Sequence, residues 1–242
     1  MRLPRALSAL PVLRHGNFTR FVISRLCNNL GWPMMGVGVG WQVYALTGDP
    51  LALGLVGLWE FLPFISLVLI GGYAADHFER RKVLAMAAAI EALCMGLLLW
   101  FSLSGGTRTW PIYLVVAVFG ASRAFWAPAT QAYLVNLVPR EELPDAIALD
   151  SMLRQTTTVG GPALGGLLYL LGAPVVYGTC MTLFIITVFM TQGIRVRGVR
   201  DNAAASAAGQ GLQLLEGVRF MMHNRAVLGL ISLDLFAVLF GG

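Results

Sequence analysis

The sequence predicts an all-α membrane protein, with a bundle of six transmembrane helices followed by the start of a seventh. Hydrophobic residues make up 57% of the chain, and its mean hydropathy is +0.73. Charged residues make up 12%, whereas soluble domains carry roughly 25%. Long apolar runs alternate with short polar segments, and most runs reach the roughly 20 residues that a helix needs to cross a bilayer.

The apolar runs set the boundaries of the predicted segments. Residues 1–19 contain arginines and no acid, which is typical of an uncleaved cytoplasmic N-terminus. Residues 20–193 form the transmembrane domain, and residues 194–225 form a basic cytoplasmic linker. Residues 226–242 begin helix 7 without completing it, so we expect the chain to be truncated. The six predicted helices are 20–46, 51–75, 83–104, 110–138, 146–172 and 174–193.

Helix 1 is the most polar of the predicted spans. Arg25, Asn28 and Asn29 interrupt its apolar sequence. Such a helix cannot face lipid on all sides, because polar groups inside a membrane need partners or water. Gly36 and Gly40 are four residues apart, with Gly38 between them, and predict close contact with a neighbouring helix.

Turn residues separate the later helices. Glycines and a threonine between Ser104 and Arg108 end helix 3. Pro139 ends helix 4, and Pro144 opens helix 5, because proline fits the first turn of a helix and disrupts its interior.

Basic residues lie mainly on one side of the predicted bundle. Thirteen of the 17 lie in the N-terminus, the loops after helices 2 and 4, and the linker, whereas Arg108 alone lies in a loop on the opposite side. The positive-inside rule therefore places the N-terminus and these loops in the cytoplasm. We expect a multi-pass protein of a bacterial cytoplasmic (inner) membrane, embedded in the lipid bilayer.

Other classes of protein have little support in the sequence. The net charge of +5 follows membrane topology, so we expect no nucleic-acid partner. No Ser/His pair, histidine-rich cluster or phosphate loop is present, so we expect neither an enzyme nor a bound cofactor. The cysteines and histidines show no ligand spacing, so no metal site is expected. These residues are Cys27, Cys94, Cys180, His15, His77 and His223.

A charged stretch between helices 2 and 3 is the most distinctive motif. It reads Gly72-Tyr-Ala-Ala-Asp-His-Phe-Glu-Arg-Arg-Lys82. It resembles G-x-L-A-D-R-x-G-R-R/K, the signature of the major facilitator superfamily at this position. Gly72, Asp76, Arg80 and Arg81 fall in register. Two positions depart from the signature, Ala74 in place of Leu and Glu79 in place of the second Gly.

Helix 5 carries a second resemblance. The sequence Gly161-Pro-Ala-Leu-Gly-Gly166 is similar to G-P-x-x-G-G, a signature of antiporters and drug exporters of this superfamily. Pro162 removes a backbone donor and bends the helix, while Gly161, Gly165 and Gly166 allow close packing. Thr157 stands where the family has an earlier glycine.

Segments 120–131, 138–143 and 148–155 are similar to the drug:proton antiporter branch, which includes enterobactin exporters and macrolide efflux pumps. This resemblance implies the N-terminal six-helix half of the major facilitator fold. It implies export of a small drug or siderophore-like molecule by proton antiport with alternating access. It also implies a cytoplasmic charge latch made of Gly72, Asp76, Arg80, Arg81, Glu141 and Glu142.

Ionisable residues within the apolar runs are the candidate site. Each costs about 2.5–3.5 kcal/mol to insert, so each needs a partner or water. Asp150 and Arg154 are four residues apart and are predicted to pair on one face of helix 5. Continuing that face brings Thr157, Gly161 and Gly165. We expect this stripe to line a central cavity together with Arg123, Asn28 and Asn29. The ionisable residues within the runs are Glu60, Glu91, Arg123, Asp150, Arg154 and Asp234.

Alternatives remain open at this stage. The polar residues in the helices could instead be static pairs that hold the bundle together. If protons drive transport, Asp150 and Glu60 are the candidate carriers. The polypeptide could also be a non-transporting half-transporter fragment or scaffold. In that case the C-terminal half is missing, or a homodimer supplies it.

Overall fold

The computed structural model describes residues 16–134, 137–139 and 141–194. The side chains of Asp76 and Ala132 lie outside this description. So do most of the N-terminus, the predicted linker and the predicted start of helix 7 with Asp234.

The described part of the chain is all-helical, as predicted. Its six helices are α1 (Gly16–Thr47), α2 (Pro50–His77), α3 (Arg80–Leu103), α4 (Trp110–Leu134), α5 (Leu143–Tyr169) and α6 (Ala173–Gln192). Four of them, α2, α3, α4 and α6, are long and apolar enough to cross a membrane. The other two, α1 and α5, have 32 and 27 residues and contain more polar side chains.

Five predicted boundaries were wrong by three or four residues, including the starts of α3, which begins at Arg80 rather than 83, and of α5, which begins at Leu143 rather than 146. Helix α1 begins at residue 16 rather than 20, because Phe18 and Phe21 are buried in the core and extend the helix outward. Helix α4 ends at Leu134 rather than 138, where Leu137 N–H donates to the Leu134 carbonyl in a turn. Helix α5 ends at Tyr169 rather than 172, because the chain turns there and Gly172, at φ +105°, is already the N-cap of α6.

The core consists of two apolar clusters, one toward each end of the bundle. The first is formed by α1, α2, α3, α4 and α6 and includes Met34, Met95 and Phe119. The second includes Phe18, Leu84 and Trp126 and lies toward the end that carries the α2–α3 loop. We call this the basic end, because Arg20, Arg80, Arg81 and Lys82 lie there.

The helices α2 and α4 pack with their backbones in contact. A Cβ on Gly71 would lie 2.0 Å from the Ala124 carbonyl oxygen. A Cβ on Gly120 would lie 2.1 Å from the Glu60 carbonyl oxygen. Real side chains do not come this close, so glycine is required at both positions for this approach. The contact holds Glu60 of α2 close to the polar part of α4.

The close contacts of α1 with α6 lie at Gly31 and at Gly38, the glycine between the predicted pair. A Cβ on Gly31 would lie 2.9 Å from the Phe184 ring, and one on Gly38 would lie 2.9 Å from Val176. The predicted contact at Gly36 was wrong, since no heavy atom of the described structure lies within 4 Å of its Cβ position. The helix contact was predicted correctly, but the face of the helix was not.

The substitution Gly120→Ala tests the α2–α4 contact. The added methyl group would overlap a backbone carbonyl, so we expect a loss of about 1–3 kcal/mol in the free energy of unfolding. The matched control is Gly160→Ala, where no atom lies within 4 Å of the new methyl group. There, alanine should be neutral or stabilise the helix by up to about 1 kcal/mol.

Thermal unfolding in detergent measures both variants. A thiol-reactive dye suits this protein, because Cys27, Cys94 and Cys180 are all buried and become reactive only on unfolding. Equal unfolding temperatures for the two variants would contradict the proposed backbone contact.

Candidate functional site

A polar layer separates the two apolar clusters. In α1 it comprises Arg25, Asn28, Asn29 and Trp32, which follow Phe18 and Phe21 and precede Met34. In α3, Glu91 lies between Ala88 of one cluster and Ala92 of the other. In α4, Ser122 and Arg123 lie between Phe119 and Trp126. The polar side chains therefore meet near the middle of the helices.

Five residues from four helices form what we call the central charge cluster: Asn28, Trp32, Glu60, Glu91 and Arg123. Arg123 Nη1 lies 3.5 Å from Glu60 Oε1. Trp32 Nε1 donates to the same carboxylate oxygen at 2.8 Å. The Arg123 guanidinium carbon stacks 3.4 Å from the centre of the Trp32 ring, which is a close cation–π contact. The cluster thus links α1, α2 and α4 through one carboxylate, one indole and one guanidinium.

Glu91 brings α3 into this cluster. Its residue surface is 1% exposed. Asn28 Nδ2 donates to Glu91 Oε2 at 2.5 Å, while Glu91 Oε1 has no hydrogen-bond partner among the described residues. Arg123 attracts Glu91 as well as Glu60. The charge of Arg123 therefore acts on both carboxyl groups, although its ion pair is with Glu60.

A second charged pair joins α1 to α5. Arg25 Nε donates to Asp150 Oδ1 at 2.8 Å, and Arg25 Nη2 donates to Asp150 Oδ2 at 2.7 Å. These distances are those of a strong bidentate ion pair. The predicted pairing of Asp150 with Arg154 was wrong in its partner. Arg154 is exposed, and the partner of Asp150 is Arg25 of α1.

The glycine stripe of α5 lies against α1. A Cβ on Gly161 would lie 2.4 Å from Pro33, and one on Gly165 would lie 3.0 Å from Met34. Thr157 is buried on the same face and donates its hydroxyl to carbonyls of its own helix. This face therefore packs against a helix in the described bundle, while Gly166 has open space at its Cβ position.

The charged loop contacts helix ends. Arg80 Nε donates to the Ala75 carbonyl in the last turn of α2. Arg81 Nη1 lies 3.4 Å from the carbonyls of Gln192 and Ile194, at the end of α6. Arg20 of α1 donates to the Gly193 carbonyl nearby. Cations at the C-terminal ends of helices satisfy carbonyls that have no partner within the helix.

Glu79 replaces the second glycine of the superfamily signature. Its carboxylate binds Lys82 at 3.0 Å and Arg81 at 3.1 Å. The hydrogen bond from Lys82 and the attraction of both cations hold the pKa of this carboxyl below its usual value. These two ion pairs are exposed, so their contribution to stability is small. It is present when Glu79 is ionised and is lost as the pH falls through the lowered pKa.

The other predicted latch residues lie at the same end. The side chain of Asp76 lies outside the described structure. Glu141 is exposed in the turn before α5, and Glu142 is the N-cap of that helix. Gly72 has open space at its Cβ position, and the tightly packed glycine is its neighbour Gly71.

The structure brings together residues that sequence reasoning left apart. It pairs Glu60 with Arg123, and it adds Trp32 and Glu91 to them. Trp32 is uncharged, so nothing in the sequence marked it as a member of the site. Arg25 was noted only as a polar residue of helix 1. Asn29 is half-buried, and its amide nitrogen has no partner among the described residues.

A family model described as transmembrane secretion effector matches residues 7–240. The chain belongs to this family of the major facilitator superfamily. Transmembrane secretion effectors and the relatives described below are transporters rather than enzymes.

Three curated relatives show how this family member compares with known proteins. The enterobactin exporter EntS of Shigella dysenteriae is 29% identical over 65% of this chain and 38% of its own length. The multidrug efflux pump Tap of Mycobacterium tuberculosis is 25% identical over 84% of this chain and 50% of its own. Macrolide efflux protein A of Streptococcus pyogenes is 27% identical over 51% of this chain and 30% of its own. The chain thus spans half or less of these relatives.

The substitution Arg25→Met tests the pair between α1 and α5. It leaves the Asp150 carboxylate half-buried without its cation, so we expect a loss of about 3–5 kcal/mol in stability. The double change Arg25→Met with Asp150→Leu removes both charges and should recover most of that loss.

The matched control is Arg154→Met, which removes an exposed arginine four residues from Asp150 and should change stability by less than about 0.5 kcal/mol. Thermal unfolding in detergent compares the variants. A larger effect at Arg154 than at Arg25 would restore the pairing predicted from sequence.

Proposed function

We propose that this chain forms the N-terminal six-helix bundle of a proton-coupled exporter, which moves a small molecule out of a bacterial cell. The central charge cluster, in a chain of the transmembrane secretion effector family, is the observation that carries the proposal. Membrane helices retain ionisable groups in their middle at a high free-energy cost, and such groups mark substrate and proton pathways. Here two acids share one arginine, an arrangement that can gain and lose a proton.

The bundle is proposed to lie in the cytoplasmic membrane with the basic end in the cytoplasm. The support is the distribution of basic residues, which cluster in the N-terminus and at the start of α3, at Arg80, Arg81 and Lys82. In alternating access, this bundle would rock against a second six-helix bundle around a site at mid-depth. The second bundle would belong to the same polypeptide or to a second copy.

The charged loop is proposed to act as a latch at the cytoplasmic end. Arg80 and Arg81, in the first turn of α3, bind the ends of α2 and α6, so the charged stretch is tied to two helices of the bundle. Asp76 completes the superfamily signature beside them. Together with Glu141 or Glu142, these charges would favour the outward-facing state by holding the cytoplasmic side closed.

The substrate is proposed to be a drug-like or siderophore-like molecule that contacts the exposed side of the central charge cluster. Trp32 is 41% exposed, and the Glu60 side chain is 22% exposed. An aromatic face beside a carboxylate suits an amphiphilic molecule with a positively charged group. The relatives are named for enterobactin, macrolides and multiple drugs, which agrees with a drug-like or siderophore-like substrate.

Everted membrane vesicles test the proposed function. Vesicles that contain the chain should accumulate a macrolide or a fluorescent lipophilic cation when a pH gradient is imposed, and a protonophore should abolish the accumulation. Vesicles without the chain supply the background. Accumulation equal to background for every probe, with the protein shown to be folded and inserted, would instead favour a non-transporting scaffold.

The substitution Asp76→Asn tests the latch. It removes one charge and keeps the size of the side chain, so we expect efflux to fall to background while membrane insertion and unfolding temperature stay unchanged. The matched control is Asp145→Asn on the same side of the bundle, in the first turn of α5, which should keep most of the efflux. Unchanged efflux in Asp76→Asn would remove the latch from the mechanism.

A further inference from the structure

Three acids in the described helices lie at or near the polar layer, and their surroundings differ sharply. Asp150 has both oxygens bound to Arg25 at 2.8 and 2.7 Å. Glu60 binds the indole of Trp32 and faces Arg123. Glu91 is the most buried of the three, with one oxygen bound to Asn28 and the other without a described partner.

A carboxylate with two tight charged bonds is stabilised in its ionised form. This describes Asp150, so that acid is suited to a structural role. A carboxyl that is almost wholly buried, with one unpartnered oxygen, is unfavourable as an anion and favourable as a neutral acid. This describes Glu91. The sequence-based candidates for the proton carrier were Asp150 and Glu60, and the geometry favours a different residue.

We propose that Glu91 carries the exchangeable proton of the central charge cluster, held on Oε1. This inference rests on the proposed proton-coupled function and names the residue that performs the coupling. In the neutral acid, Oε2 is the carbonyl oxygen, and it accepts the hydrogen bond from Asn28. The same amide donor also serves the ionised form, so Glu91 keeps its position in both states.

The groups that face Glu91 set the charge balance. From α4, Arg123 attracts it, and from α2, Glu60 competes for the same cation. From α1, the neutral Asn28 donates a hydrogen bond. Helix α6 carries no charged residue, and its titratable groups are Tyr177 and Cys180, while Cys94 follows Glu91 by one turn of its own helix. With Glu91 protonated, Arg123 and Glu60 sum to zero, and with Glu91 ionised the cluster carries one negative charge.

The coupling step follows from this balance. The O–H bond of Glu91 breaks, the electron pair stays on Oε1, and the proton passes to a water molecule that enters the cluster from its exposed side. Arg123 then has a second anion to bind. The distance between Arg123 Nη1 and Glu60 Oε1 is 3.5 Å, longer than the 2.7–2.9 Å typical of a strong charged hydrogen bond, so this ion pair is weak. Movement of Arg123 toward Glu91 would free Glu60 to bind a cationic group of the substrate.

Infrared difference spectroscopy of the purified full chain tests this proposal without any substrate. We expect the wild type to show the C=O stretch of a protonated, buried carboxyl group near neutral pH, and to lose it reversibly in alkaline buffer. The band should be absent from Glu91→Gln and retained in Glu60→Gln. A band that persists in Glu91→Gln, or that is missing from the wild type, would overturn the assignment.

The substitution Asn28→Leu is a second test, to be used if Glu91→Gln does not fold, because it leaves the carboxyl group of Glu91 in place. Removing the hydrogen bond to Oε2 should shift the band to higher frequency. An unshifted band would show that the protonated carboxyl is not Glu91. These spectra need no transport, so the two proposals can fail separately. No efflux in the vesicle assay would contradict the proposed function but not the protonation of Glu91. Active efflux with the band retained in Glu91→Gln would contradict the protonation of Glu91 but not the proposed function.

Discussion

The cost of placing charge inside a membrane governs the arrangement of this bundle. Each ionised side chain at mid-depth costs about 2.5–3.5 kcal/mol on insertion scales, so it is stable only beside a partner or water. The helices meet this constraint by gathering their polar residues into one layer between two apolar clusters. Backbone contacts at Gly71 and Gly120 bring α2 against α4, which allows Glu60 to reach Arg123.

The charged groups divide into a fixed pair and an unbalanced cluster. Arg25 and Asp150 match one cation to one anion with two short bonds, which ties α1 to α5. In the cluster, by contrast, Arg123 serves two acids and also stacks on Trp32. Separating a balanced ion pair only costs free energy. A cation that interacts with two acids, by contrast, changes its interactions when either acid is protonated. The proposed function therefore assigns a structural role to the Arg25–Asp150 pair and a coupling role to the central charge cluster.

Much of the architecture could be predicted from the sequence, because apolar runs and charged loops are set locally. The six helices, the charged loop and the packing glycines of α5 all follow from composition and spacing. Partners between helices could not be derived. The sequence predicted Arg154, four residues away, as the partner of Asp150, yet the observed partner, Arg25, lies 125 positions earlier. The hydrogen bond between Asn28 and Glu91 depends in the same way on the packing of both α1 and α3 against α6, which no local pattern reveals.

The central claim is that one proton moves against the substrate through the central charge cluster. The most direct measurement reconstitutes the full chain into liposomes that contain a trapped pH dye, then imposes a gradient of a probe that the vesicle assay identifies as transported. The account predicts that the dye reports proton movement opposite in direction to the probe, and only when the probe is present. Transport of the probe with no change in the dye signal would contradict it.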